Sequence, residues 1–167
     1  MQTVTSTSKG SAKLTLPADD QILVTREFAA PRHLVYKAWT TPELVRKWWG
    51  AEMGETTHTE IDLRVGGTWR YVSVADGGFE VAFHGEYREI VPNERIVSTE
   101  AYEGVPDPDG NATLNTVTFG EEAGRTTVTI LIQCPSKEIR DAIVESGMEV
   151  GLQKSLDHLE EVALSLA

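Results

Sequence analysis

The sequence predicts an α+β domain, in which a curved antiparallel sheet of seven strands wraps around one long C-terminal helix. The first observation is a run of six strand-like segments between residues 57 and 134, joined by short connections rich in turn-forming residues. The second is the alternation of apolar and polar residues within them, which gives the sheet one buried face. The third is a helical stripe of apolar residues over residues 148–167, which can cover that face.

Composition limits the class of protein. We expect a flexible Ser/Thr-rich leader over residues 1–19, without the apolar run of a secretory signal, and one domain over residues 20–167. No apolar run reaches the about 20 residues that span a bilayer, so a cytoplasmic location is expected. The net charge of −11, from 26 acidic and 15 basic residues, argues against a nucleic-acid partner. The single cysteine, Cys134, excludes an intramolecular disulfide and a thiolate zinc cluster.

The first elements are one strand and two short helices. Residues 21–30 alternate apolar and polar side chains and predict the first strand. Pro31 suits the first turn of the helix that follows. Thr41 and Pro42 then start a second helix, with Thr41 as its N-cap, and Gly50 ends it.

The six later strands are, in order, THTEIDLR, GTWRYVSVA, FEVAFHGEYREIV, RIVSTEAYE, LNTVTFG and RTTVTILIQC. Trp69 and Tyr71 alternate with an arginine, so both rings are expected on the inner face of the sheet. Phe79, Phe83 and Tyr87 share one face of the next strand and are expected to join them.

The C-terminal segment is predicted to be helical. Ser136 caps a first helix and Gly147 separates it from the long one. The apolar stripe of the long helix includes Leu152, while Asp157 and Glu160 are assigned to its solvent-facing side.

Catalytic and metal-binding motifs are missing from the sequence. The four histidines have no metal-ligand spacing, and no nucleophile elbow or phosphate-binding loop occurs. His58, Glu60 and Asp62 share one strand face, but the opposite face is the more apolar one, so a solvated cluster is favoured over a metal site. Glu100 stands on a strand of ambiguous alternation, and both a pocket acid with a raised pKa and a surface carboxylate remain open for it. The sequence therefore favours a protein that is not an enzyme.

Four blocks carry a family resemblance when taken together and in order. They are APRHLVYKAWTTPELVRKWWG, EIDLRVGGTWRYV, FHGEYREIVPNERIV and GMEVGLQKSLDHLEE. The chain resembles the Activator of Hsp90 ATPase homologue-like family of the START-like (SRPBCC) superfamily, from about residue 21 to the C-terminus. The resemblance implies the helix-grip fold and a deep cavity between the long helix and the concave sheet.

In that fold the short helices lie at the cavity mouth, so the two tryptophans at the end of the second helix are expected to have different roles. Neighbouring helical positions point about 100° apart, so Trp48 and Trp49 face different surroundings. Trp48 continues the apolar row that begins at Leu44 and is expected to anchor the core. Trp49, near Met53, is expected at the mouth.

The function favoured by the resemblance is the binding of a small hydrophobic molecule (lipid-, polyketide- or aromatic-like), without a cofactor or metal. Two alternatives stay open: a co-chaperone or other protein-interaction module of the Hsp90-activator type, acting in the stress response, and a cyclase or hydrolase that uses the same cavity. A simple filled core is the structural alternative, and the chain is expected to be a monomer or homodimer. The residues predicted to bind the ligand are Trp49, Met53, Trp69, Tyr71, Ser73, Phe83, Tyr87, Thr99 and Leu152.

Overall fold

The computed structural model describes residues 12–50, 54–75 and 77–167 of the chain. Within them the strands are β1 (Lys13–Thr15), β2 (Gln21–Phe28), β3 (Gly54–Ile61), β4 (Thr68–Ala75), β5 (Glu80–Val91), β6 (Arg95–Tyr102), β7 (Thr113–Glu122) and β8 (Arg125–Gln133). The helices are α1 (Arg32–Thr40), α2 (Pro42–Trp48), α3 (Lys137–Glu145) and α4 (Met148–Ser165). No helix of these residues is long and apolar enough to cross a membrane.

The predicted fold class is confirmed, with one strand more than the seven predicted. All strand pairs are antiparallel, in the order β1-β2-β8-β7-β6-β5-β4-β3. The additional strand is β1, which lies within the segment expected to be a leader and pairs Leu14 with Val24 of β2. Gln153 of α4 also fixes this segment, because its amide group makes hydrogen bonds of 3.2 and 2.7 Å with the backbone of Ala12. Three residues are too few to produce a readable alternation, so β1 left no signal in the sequence.

One face of the sheet, called the inner face below, carries the core. Side chains of directly paired residues in antiparallel strands share a face, and the pairs Val24–Ile130, Val117–Ile130 and Ile96–Val117 are all buried. Helix α4 covers this face with Leu156 and Leu159, which are at most 1% exposed. The alternation in the sequence thus predicted the correct buried face.

The solvent-facing assignment of Asp157 and Glu160 is wrong for Glu160, which is 6% exposed. The cause is Arg26, an inner-face residue of β2 that is 1% exposed and lies beneath α4. Its guanidinium donates to Asp157 at 2.6 Å and to Glu160 at 3.2 Å. The second carboxylate oxygen of Glu160 accepts from the backbone N–H of Ala29 at 2.8 Å. Burying a charge is costly unless it is paired. The buried Arg26 is paired with Glu160, which is buried, and with Asp157, which is partly exposed.

The predicted helix boundaries hold at the residues that define them. Thr41 is the N-cap residue of α2, although its side chain makes no capping hydrogen bond. The hydroxyl of Ser136 accepts from Ile139 N–H at 3.2 Å and caps α3. Gly147 precedes α4 with a φ of 86°, a left-handed conformation that favours glycine.

Candidate functional site

The tryptophan pair at the end of α2 divides between two groups of aromatic rings. Trp48 is 5% exposed, and its indole N–H donates to the carbonyl oxygen of Ala38 in α1 at 2.9 Å. Its ring lies 5.3 Å from that of Trp39, which in turn contacts Phe119 of β7 at 5.6 Å. Trp48 therefore anchors α2 to α1 and the core, as predicted.

Trp49 lies outside this group and is only partly buried. It is the C-cap residue of α2 and has an extended backbone, so its side chain leaves the direction of the helix. Its ring contacts Tyr71 of β4 at 5.3 Å and Phe83 of β5 at 5.6 Å, both close to edge-to-face. Trp69 adjoins Tyr71 at 4.7 Å and Tyr102 adjoins Phe83 at 5.0 Å. These five residues are called the inner aromatic cluster below.

The cluster lies on the inner face because β4 and β5 pair Tyr71 with Phe83 and Trp69 with Gly85. The indole of Trp69 lies over Gly85, since a Cβ at that glycine would be 2.5 Å from the indole nitrogen. Trp69 is 7% exposed, and its Nε1–H has no hydrogen-bond partner among the described residues. A buried N–H without a partner costs about 1–3 kcal/mol.

A chain of polar side chains lies beside the cluster, on β6 and β7. Glu100 is in register with Thr113, and Asn115 follows two residues later on the same face of β7. The Thr113 hydroxyl donates to the amide oxygen of Asn115 at 2.9 Å, and the Asn115 amide donates to a Glu100 carboxyl oxygen at 2.6 Å. Burial raises the pKa of Glu100, and the hydrogen bond from Asn115 opposes that shift with a smaller effect. The ambiguity over Glu100 is thus resolved: it is an inner-face acid.

The inner face is less tightly covered around this acid. Ile96 and Val117 are 4% and 6% exposed, yet Ser98, Glu100 and Asn115, further along the same two strands and on the same face, are only partly buried. This part of the inner face is therefore less completely covered than the part around Ile96 and Val117. It combines carboxyl, amide and hydroxyl groups.

Two tyrosines on this face remain neutral phenols. Burial raises the pKa of Tyr71 well above its usual value, and it also raises the pKa of Tyr87. For Tyr71 the nearby Tyr87 and Glu100 add to the effect. Both groups can serve as hydrogen-bond donors at any physiological pH.

The structure brings four of the predicted binding residues together, and the others lie outside that group. Trp49, Trp69, Tyr71 and Phe83 belong to the inner aromatic cluster, and Tyr87 is buried on the same face. Met53 lies outside the described residues.

Ser73 and Thr99 contribute little to the inner aromatic cluster. The Ser73 hydroxyl is buried and donates to the Glu55 carbonyl at 3.3 Å. Thr99 lies on the face opposite to Glu100, in register with Leu114. Its hydroxyl accepts from the N–H of Glu86 at 2.9 Å.

Leu152 contacts the core from α4 and is partly buried. Phe79, expected on the inner face, is instead 64% exposed, because it precedes the start of β5 at the β4–β5 turn. Asn115 was missed by the sequence reasoning. The signal was present, since Val117 and Phe119 define an apolar face of β7 to which position 115 belongs.

Charged side chains on the outer face form a separate network. Arg70 donates twice to Glu103, both at 2.9 Å, and His84 bridges Glu103 at 2.8 Å and Asp109 at 2.6 Å. The hydrogen bond from Arg70 lowers the pKa of Glu103 to about 2. The contacts with Asp109 and then Glu103 raise the pKa of His84. The network fixes the loop between β6 and β7 against the sheet.

The pair His58–Glu60 and the surface near α2 lie apart from the inner aromatic cluster. His58 and Glu60 are exposed and 3.8 Å apart. Among the described residues, no three or more His, Cys, Asp or Glu side chains are arranged so that they could hold a metal ion. A surface pocket of about 330 Å³ lies between Pro42, Glu43, Arg46 and Thr59, outside the inner aromatic cluster.

Comparisons with known proteins agree with the fold. A family described as "Activator of Hsp90 ATPase homolog 1-like protein" matches residues 29–163. Among solved structures, a protein from Rhodobacter sphaeroides is similar with a TM-score of 0.84 at 22% identity, over 93% of this chain and 99% of that one. A protein from Chromobacterium violaceum has a TM-score of 0.75 at 29% identity, over 87% and 98%. One from Mycobacterium smegmatis has a TM-score of 0.79 at 23% identity, over 90% and 94%. No curated protein matches the chain.

Proposed function

The chain belongs to the Activator of Hsp90 ATPase homolog 1-like family, and on that premise we propose that it binds a small, mainly aromatic molecule between the inner face of the sheet and α4. Family membership supports a ligand-binding or co-chaperone-type domain. The observation that favours ligand binding is the partly exposed Trp49, held against the rings of Tyr71 and Phe83 beside the less completely covered polar part of the inner face.

Ligand sites combine a mainly apolar wall with a few placed polar groups. The inner aromatic cluster supplies the wall, and aromatic faces and edges favour a flat aromatic guest through offset and edge-to-face contacts. Trp49 retains exposed surface that a guest can cover, whereas Trp48 is already buried. The polar groups are the Glu100 carboxyl and the Asn115 amide that it accepts from.

The first experiment asks whether a guest is present. Native mass spectrometry of the protein purified from its own host should detect a co-purifying small molecule. After any bound molecule has been extracted, aromatic and lipid-like molecules from a panel should raise the midpoint of thermal unfolding of the protein, since a ligand stabilises the state that it binds. The proposal is refuted when no small molecule co-purifies and no member of the panel stabilises the protein.

The second experiment locates the site with a matched pair of variants. Trp49→Ala should weaken binding of the fluorescent probe N-phenyl-1-naphthylamine by about tenfold, which corresponds to about 1.4 kcal/mol of lost aromatic contact. Phe79→Ala is the control, because that ring is also aromatic but is 64% exposed at a turn. Equal affinities of the two variants would place the guest elsewhere.

A further inference from the structure

We infer that the natural ligand carries a hydroxyl group that accepts a hydrogen bond from Trp69 Nε1–H and donates one to the Glu100 carboxyl. This inference rests on the proposed function and specifies the chemistry of the guest. It comes from two polar atoms on the inner face whose hydrogen-bonding capacity is left open.

The first atom is the indole nitrogen of Trp69. It is buried, it has no acceptor within the described chain, and it lies over Gly85, where the missing side chain leaves room for the ring. Buried indole N–H groups usually find a partner. In this inference the ligand provides that acceptor.

The second is the carboxyl group of Glu100. Asn115 donates to one of its oxygens, and Asn115 is itself held by Thr113, which turns the amide N–H toward the carboxyl. A carboxylate accepts at two oxygens with about four lone-pair sites. Asn115 thus leaves acceptor capacity, in a place where no described cation forms an ion pair with Glu100. The ligand can supply a donor there.

The two positions are neighbours because of the strand register. Phe83 pairs with Tyr102 and Tyr87 with Ser98, which places Gly85 opposite Glu100. Opposite residues of antiparallel strands have Cα atoms about 4.5–5.5 Å apart. The strand position under the Trp69 indole and the position of Glu100 are therefore neighbours on the inner face.

A hydroxyl group satisfies both atoms, because it accepts and donates at one oxygen. An ammonium group has donors only and would leave Trp69 Nε1–H unpaired. A carboxylate has acceptors only, and it would meet both Glu100 and a chain of net charge −11. The aromatic wall together with these two atoms favours a phenol-like or hydroxylated ring system.

The test uses four probes of one size on the unmodified protein: naphthalene, 2-naphthol, 2-naphthylmethylamine and 2-naphthoate, with dissociation constants from calorimetric titration. Two net hydrogen bonds predict that 2-naphthol binds at least about tenfold more tightly than naphthalene. The amine and the carboxylate should both bind more weakly than 2-naphthol. Equal affinity of naphthol and naphthalene, or preference for the amine or the carboxylate, would overturn the inference but leave the proposed function intact. Binding of none of the four would count against the proposed function itself, and the inference falls with it.

Variants then assign the preference to the two residues. Trp69→Phe keeps a ring but removes the donor, so the naphthol-to-naphthalene affinity ratio should fall to near one with little change for naphthalene. Glu100→Leu should reduce the same ratio. Glu86→Gln, on the outer face of β5, is the control and should leave it unchanged. A merely structural role of Trp69 or Glu100 would weaken both probes alike and keep the ratio, which would also overturn the inference.

Discussion

Replacing Glu160 by alanine gives the sharpest test of how α4 is held on the sheet. The carboxylate is buried and has two partners, the guanidinium of Arg26 at 3.2 Å and the N–H of Ala29 at 2.8 Å. Its removal leaves the fully buried arginine with Asp157 alone, whose side chain is 24% exposed. We expect Glu160→Ala to be among the most destabilising single changes in α4.

The expected loss is about 3–5 kcal/mol, the cost of removing one partner from a buried ion pair. Part of it is the Ala29 N–H left without an acceptor, worth about 1–3 kcal/mol. The remainder is the incompletely compensated charge of Arg26. A double variant, Arg26→Met with Glu160→Leu, should recover much of the loss, since an apolar pair of similar volume avoids the buried charge.

Urea unfolding monitored by tryptophan fluorescence measures these free energies. Glu161→Ala serves as control, because its side chain on the same helix is 59% exposed and surface changes usually stay within about 0.5 kcal/mol. A loss below about 1 kcal/mol for Glu160→Ala would refute the reasoning. A double variant as unstable as the sum of the two single changes would show that charge burial is not the cause.

Two further predictions concern a close approach and a titrating group. Gly85→Ala should lower the melting temperature strongly, because the added Cβ would lie 1.9 Å from a backbone carbonyl oxygen of β6. Gly120→Ala is the control and should be tolerated, because the nearest atom to its Cβ would be 3.8 Å away. A small effect at Gly85 would contradict the packing described. Asp109 and Glu103 raise the pKa of His84 above its ordinary value of 6.5. The charged imidazole therefore stabilises the fold fully below pH 6.5, and this contribution is lost as the pH rises through the raised pKa. The free energy of unfolding lost in His84→Gln should therefore be largest below pH 6.5 and shrink above it, and a difference that is constant or grows with pH would contradict this.

The fold was predictable because its signals are periodic. Alternation over strands of eight or more residues separates two faces clearly, and the helical stripe of α4 continues for 18 residues. Turn glycines and Ser136 mark the ends of elements by local chemistry. Strand β1 has three residues and no such period, so pairing with β2 determines it rather than its own sequence.

The candidate site was less predictable because polar residues on the inner face break the pattern that identifies the face. Ser98 and Glu100 interrupt the alternation of β6, and only the pairing of Ile96 with Val117 assigns them to the core side. The charge of Glu160 conceals its burial in the same way, because the partner that explains it is 134 residues away. Contacts of this kind depend on register and helix placement, which a single sequence does not state.

The tryptophan pair links the stability of the fold to the proposed site. Trp48 bonds to α1 and contacts Trp39, so this anchor of α2 does not involve the Trp49 ring. Trp49 has left the helical backbone and rests edge-on against two rings of the inner aromatic cluster, with surface still exposed. A guest that packs on the exposed surface of the Trp49 ring therefore acts on aromatic contacts, each worth about 0.5–1.5 kcal/mol, and leaves the anchor of α2 in place. Two adjacent residues of one type thus serve different purposes, because the helix ends between them.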